Sequence, residues 1–173
     1  MGLTIRQYRP ADFDALWRID QACFPPGISY TRFELKTYIG LAGAFTLVAV
    51  AERDQSTHGA REQVSPAEDA NGIVGFVVAE RSRRGGGHII TIDVDPEMRR
   101  QQVGSLLLAS AEQRLRSSRC GSIQLETAVD NAAALSFYKR QGYSVIKTIP
   151  RYYSNGVDAL VLEKRLLSPV DSR

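Results

Sequence analysis

Cysteine and histidine are scarce in this chain: its 173 residues contain only Cys23 and Cys120, His58 and His88. None of the four lies at a metal-ligand spacing, so no metal site is expected. Two cysteines this far apart predict buried thiols in a reducing cytoplasm, not a disulfide framework. Long apolar runs are missing as well. The stretches 45–51 and 73–79 are far shorter than the roughly 20 residues that cross a bilayer, which excludes a membrane role. The N-terminus has no basic region followed by an apolar stretch, so no secretory signal is expected. The net charge of +3 is modest, and its basic residues form only small clusters at 81–84 and 99–100. Without a basic stripe interleaved with aromatics, direct nucleic-acid binding is not expected; contact with phosphate groups fits better.

What is present suits one globular domain. Hydrophobic residues make up 43% and charged residues 24%, an ordinary balance. A single domain over 1–173 is expected, with a mobile hairpin insertion at 52–71 and a short loose tail at 168–173. The insertion is rich in Ser, Thr, Asp, Glu, Gln, Gly and Pro, a composition that cannot bury a core.

Residues 4–8 alternate as a half-buried strand. Phe13, Leu16, Trp17, Asp20 and Phe24 recur at helical spacing until Pro25-Pro26-Gly27 stops them. Residues 31–40 read as a second short helix. The β-rich runs 45–51 and 72–80 predict adjacent antiparallel strands, and 88–94 a further strand. Val103, Leu106, Leu107, Ala111 and Leu115 mark one face of a helix, ended by Cys120-Gly121. Residues 122–127 return as a strand. Asp130 or Asn131 caps a helix over 132–141, and Gly142 follows it. Strands at 143–148 and 159–164 finish the chain. The order β-α-α-β-β-β-α-β-α-β-β implies an α/β fold with a mixed, mostly antiparallel central sheet flanked by helices.

The connection after residue 94 carries the first chemical signal. A strand runs through Arg99-Arg100-Gln101-Gln102-Val103-Gly104-Ser105 into a helix. A helix N-terminus offers unpaired N–H groups and about half a positive charge, which suits phosphate. Arg99 and Arg100 add cationic donors, and Gly104 permits close approach. Taken alone, the segment also fits an ordinary strand–helix connection with two solvated arginines.

Residues 99–104 resemble the coenzyme A motif Gln/Arg-x-x-Gly-x-Gly/Ala of the GNAT superfamily of N-acetyltransferases, with Gln102 where that family normally has glycine. Asp130-Asn131-Ala132-Ala133-Ala134-Leu135-Ser136-Phe137-Tyr138 and Gly142-Tyr143 resemble its second signature. Phe24-Pro25, and Arg151 through Ala159, are similar to the branch that acetylates protein N-termini, which includes the bacterial ribosomal-protein alanine N-acetyltransferases. The resemblance spans nearly the whole chain outside 52–71.

It implies acetyl-CoA as co-substrate, bound by Ile92, Asp93, Val94, Arg99, Arg100, Gln101, Gln102, Val103, Gly104, Ser105 and Asn131. The Gln102 N–H is expected to donate provided its φ stays negative. The resemblance also implies Glu126 as general base acting through water, Tyr138 as general acid, and the Val94 N–H as oxyanion donor on a strand splayed from its neighbour. Phe24, Pro25, Pro26 and Tyr30, opposite Tyr152 and Tyr153, would frame a protein or peptide N-terminus, such as that of a ribosomal protein. Each assignment has a plainer counterpart: Glu126 in a surface salt bridge, Tyr138 in the core, Asn131 as a helix cap, Asp93 as a solvated carboxylate. Acetylation of a lysine or small amine, and a non-enzymatic acyl-CoA-binding module, remain open on sequence alone.

Overall fold

Strand alternation and helical periodicity organise the chain into seven strands and four helices in the computed structural model, which describes residues 2–52 and 72–166. The expected 52–71 insertion and 168–173 tail lie almost wholly outside them. Strand β1 (Leu3–Gln7) leads into α1 (Phe13–Cys23) and α2 (Arg32–Ile39). Then come β2 (Ala44–Ala51), β3 (Ile73–Arg81), β4 (Gly87–Val94), α3 (Val103–Ser117), β5 (Ser122–Ala128), α4 (Ala132–Arg140), β6 (Ser144–Ile149) and β7 (Ala159–Arg165). This is the expected order, with boundaries moved by a residue or so, except that α3 ends at Ser117, three residues before the expected stop at Cys120-Gly121.

One sheet holds all seven strands in the order β1-β2-β3-β4-β5-β7-β6. Among the described residues only β4 and β5 pair in parallel, as the intervening α3 crossover requires. Apolar side chains fill both faces. Leu107, Leu108, Ala111 and Leu115 of α3 pack on Val77 and Ala79. Leu16 and Ile19 of α1 and Leu35 of α2 pack on Phe76 and Val78.

Local chemistry sets the helix ends. Thr31 and Glu34 form a reciprocal capping box on α2, satisfying two otherwise orphaned N–H groups. The Asn131 side chain accepts the Ala134 N–H at 3.1 Å and caps α4. Between α3 and the closing strands, Glu112 accepts from the Tyr143 hydroxyl at 3.0 Å and from Lys164 at 2.7 Å. Its buried carboxylate is thereby satisfied.

Two irregularities in β4 shape the rest of the molecule. Pairing with β3 passes from Val78–Thr91 to Ala79–Ile89, leaving Ile90 as an extra residue. This bulge turns Thr91 and Asp93 onto the α1–α2 face, in register with Val78 and Phe76. The second irregularity is a splay. Strand β4 pairs with β5 only from Gly87 to Ile89, although β5 itself runs on to Ala128.

Candidate active site

The splay leaves one edge of β4 from Ile90 to Val94 without a strand partner. Residues along a strand direct their amide groups alternately to opposite edges. The Asp95 N–H bonds Val74 of β3, so Asp93 and Thr91 also face β3, while Ile92 and Val94 turn their N–H groups into the gap. The carbonyls of Ile90 and Val94 follow the same alternation. They accept from the Tyr30 hydroxyl at 3.4 Å and the Cys23 thiol at 3.2 Å. Backbone donors on a splayed strand suit both an acyl oxygen and an amide-bearing chain.

The N-terminus of α3 closes one end of this gap. Its cap residue Gln102 makes no side-chain hydrogen bond to the first turn, leaving the early N–H groups of the helix available to an anion. A Cβ on Gly104 would lie 3.4 Å from the Phe137 ring and 3.6 Å from Val94. The helix start, the end of β4 and α4 therefore meet at this point. Gln141 donates to Ser105 at 3.1 Å, binding α3 to the end of α4. Beyond lies a shallow groove of about 510 Å³ along Ala132, Leu135, Ser136, Lys139 and Arg140.

The Gln102 backbone differs from the expected negative φ. It stands at φ 66°, in the left-handed region, as does Arg100 at 64°. The conformation explains the family's usual glycine, and Gln102 adopts it at a cost of about 1–2 kcal/mol.

Across the gap, Glu126 lies near the end of β5 and is mostly covered. Its Oε2 is 2.7 Å from His88 Nε2, and His88 Nδ1 is 3.6 Å from Glu80. Burial opposes charge on His88, but the hydrogen bond and negative charge of Glu126, with Glu80, outweigh it and hold the imidazole above its usual 6.5. Sequence reasoning missed this pairing. The partners are 38 residues apart, and only the β4–β5 register, with His88 beside Gln124, reveals it.

Tyr138 is buried on α4, edge-on to Phe137 and Tyr143. Burial, with the charge of Asp93 and of Tyr153, raises its phenol further above the usual 10, so it is protonated at neutral pH. Asp93 is not a solvated carboxylate. It is 1% exposed, and Thr91 donates to it at 2.8 Å. Cys120 is buried as expected, whereas Cys23 is only half-buried. Burial pushes the Cys23 thiol up to about 11.

The other side of the gap is bounded by the α1–α2 and β6–β7 loops. The Ser154 hydroxyl donates to the Gly27 carbonyl at 2.6 Å and ties them together, a contact the sequence did not announce. Tyr30 stacks obliquely on Tyr38, with centroids 5.0 Å apart, while Tyr152 and Tyr153 pack at right angles, also at 5.0 Å. Tyr152 is 48% exposed. Phe24 is half-buried, and Pro25 and Pro26 are exposed. Among the described residues no group of three or more His, Cys, Asp or Glu could hold a metal ion, and no helix is long and apolar enough to cross a membrane.

A splayed parallel pair beside a helix start with no side-chain cap forms a cleft suited to an anionic, amide-bearing ligand. Residues 13–143 match the acetyltransferase (GNAT) family, and the chain belongs to that family. It is an N-acetyltransferase that uses acetyl-CoA. An uncharacterised N-acetyltransferase of Methanocaldococcus jannaschii is 36% identical over 165 residues, covering 94% of this chain and 92% of its own length. N-alpha-acetyltransferase 30 of Dictyostelium discoideum is 32% identical over 104 residues, 58% of this chain and 54% of that protein. The crystal structure of Ard1 from Thermoplasma volcanium superposes with a TM-score of 0.78 at 25% identity, covering 97% of this chain and all of that one.

Proposed function

We propose that the chain acetylates the N-terminal α-amino group of a protein or peptide by direct attack within a ternary complex. The observation that carries this reading is the tied pair of loops on the acceptor side, joined by Ser154 and Gly27 and bearing Tyr30, Tyr152 and Tyr153. Such tyrosines offer contact area and hydrogen-bonding tips suited to a peptide main chain. The similarity to N-alpha-acetyltransferase 30 supports the same reading.

Acid–base chemistry agrees with it. An α-amino group has a pKa near 7.7–8.0, so a substantial fraction is neutral at cellular pH, against about a thousandth of a lysine. A carboxylate base therefore has little deprotonation to drive. Glu126, oriented by His88, takes the proton of the ammonium group through a water molecule. The amine nitrogen then bonds to the acetyl carbon, and the Val94 N–H donates to the carbonyl oxygen as charge develops there. The carbon–sulfur bond breaks, Tyr138 gives its proton to the departing thiolate, and the new amide nitrogen gives up its second proton, which through water restores the Tyr138 phenol. The products are an acetamide and free coenzyme A. Ile92, Val94, Arg99 to Ser105 and Asn131 form the acetyl-CoA side of the cleft; Asp93, with its side chain buried and its amide groups turned to β3, contributes no contact there.

The test is a steady-state comparison of free N-terminal peptides with N-blocked peptides containing lysine. Turnover of the free N-termini is expected; acetylation confined to the blocked peptides would sink the assignment.

A further inference from the structure

Asp20 of α1 and Asp93 of β4 are shut away from solvent, at 0% and 1% exposure, and each leaves one oxygen without a hydrogen-bond partner. Asp20 Oδ2 accepts the Tyr30 N–H at 2.9 Å and the Gln21 amide at 2.9 Å, while Oδ1 has no partner. Asp93 Oδ1 accepts from Thr91, while Oδ2 has none. The β4 bulge is what turns Asp93 onto the face that carries α1. Burial of both carboxyls, and for Asp93 the negative charge of Asp20 as well, favours the protonated form. Asp20 is pushed up to about 6, and Asp93 well above the aspartate range.

The surroundings only partly offset this. Glu34 of α2 adds negative charge towards Asp20, whereas Arg99 adds positive charge towards Asp93. Cys23 of α1, Tyr30 of the loop and Tyr138 of α4 also lie within electrostatic reach of Asp93. Two full negative charges buried this way are costly, and neighbouring carboxyls in such settings retain one proton.

Asp20 also belongs to a clamp. It holds the Tyr30 N–H, while Gln21 donates to the Tyr30 carbonyl at 2.8 Å. The Tyr30 hydroxyl in turn reaches the carbonyl of Ile90. Both main-chain polar groups of Tyr30 and its side-chain tip are thus fixed between α1 and β4.

We propose that Asp20 and Asp93 hold a single proton between them and, through the grip of Asp20 on Tyr30, act as positioning residues for the acceptor-side loop. The effect on acceptor binding rests on the peptide reading given above; the proton and the clamp do not.

The test has two arms. Difference infrared spectroscopy of the unliganded protein at pH 7 should show a protonated carboxyl band that disappears in Asp93→Asn; no such band in the wild type overturns the shared proton. In the second arm, Asp20→Ala should reduce the protection of the Tyr30 N–H from hydrogen exchange by ~10-fold or more, the scale of a hydrogen bond to a charged group. The acceptor KM should rise while the acetyl-CoA KM holds. Asp20→Asn, whose amide oxygen can still accept, should restore both. Unchanged Tyr30 protection, or a parallel rise in the acetyl-CoA KM, overturns the positioning role. If Asp20→Ala fails to fold, Gln21→Ala removes the Tyr30 carbonyl contact and is read the same way. Because infrared and exchange need no substrate, a wrong acceptor class leaves them intact, whereas a wrong pair fails them while peptide acetylation persists.

Discussion

His88 Nε2 and Glu126 Oε2 stand 2.7 Å apart across the first rungs of the only parallel strand pair in the described sheet. The contact links the proposed base to a side chain that changes charge near neutrality. Because folding holds the imidazole above its usual 6.5, the folded chain binds a proton there more tightly than the unfolded chain. That contribution to stability is complete below pH 6.5 and is lost as pH rises through the folded value. Thermal unfolding should therefore separate wild type from His88→Gln more widely at pH 6 than at pH 9. A separation that grows towards pH 9 would contradict the pairing. The same variant should lower kcat, because Glu126 loses its orienting partner.

Tyr138→Phe separates the core role of this residue from its chemistry. The ring packs against Phe137 and Tyr143, and phenylalanine keeps that packing. Removal of the hydroxyl should cut kcat by roughly 10²-fold or more, the usual scale of general acid catalysis. Acetyl-CoA affinity, measured by calorimetry, should stay within about twofold of wild type if packing alone set it. Wild-type turnover in the variant would remove Tyr138 from the proton path.

The order of elements was legible because local signals agreed with one another. Pro25-Pro26-Gly27 does end α1, and Asn131 does cap α4. The site was legible in part: the residues on either side of the gap could be named from their motifs. What joined them could not. The Ile90 bulge, the short β4–β5 pairing, and the His88–Glu126 and Asp20–Asp93 pairs all depend on register between distant segments. A lone histidine and two separated aspartates carry no periodic signal, and a one-residue slip in β4 would send Asp93 to the opposite face. Gln102 shows the converse. Its place in the turn was readable, but its left-handed backbone was not, because glutamine rarely adopts one.

Gln102→Gly tests that strain. At φ 66° the glutamine carries a penalty that glycine lacks, although glycine adds freedom to the unfolded chain. The net expectation is a gain of about 0.5–1 kcal/mol in denaturant unfolding, with an acetyl-CoA KM equal to or below that of wild type. A clear loss of stability would show that the Gln102 side chain does more than tolerate its position.

Gly75 tests whether the splay itself matters to turnover. On β3 it pairs with Val94 of β4, directly behind the strand that faces the gap. A methyl group there would lie 2.8 Å from the Asp93 carbonyl oxygen and 3.2 Å from both Leu107 and Val103. The side chains can give way, but the carbonyl belongs to the β3–β4 ladder and can move only with the strand. Gly75→Ala should therefore cost about 1–3 kcal/mol, as overpacking does. It should also displace the Val94 N–H from the acyl oxygen, lowering kcat and raising the acetyl-CoA KM together at temperatures where the variant is folded. Gly121→Ala is the matched control, because a Cβ there meets nothing within 4 Å. If Gly75→Ala loses stability but keeps full kcat, the position of Val94 does not govern the chemistry, and the oxyanion donor must be sought elsewhere along β4.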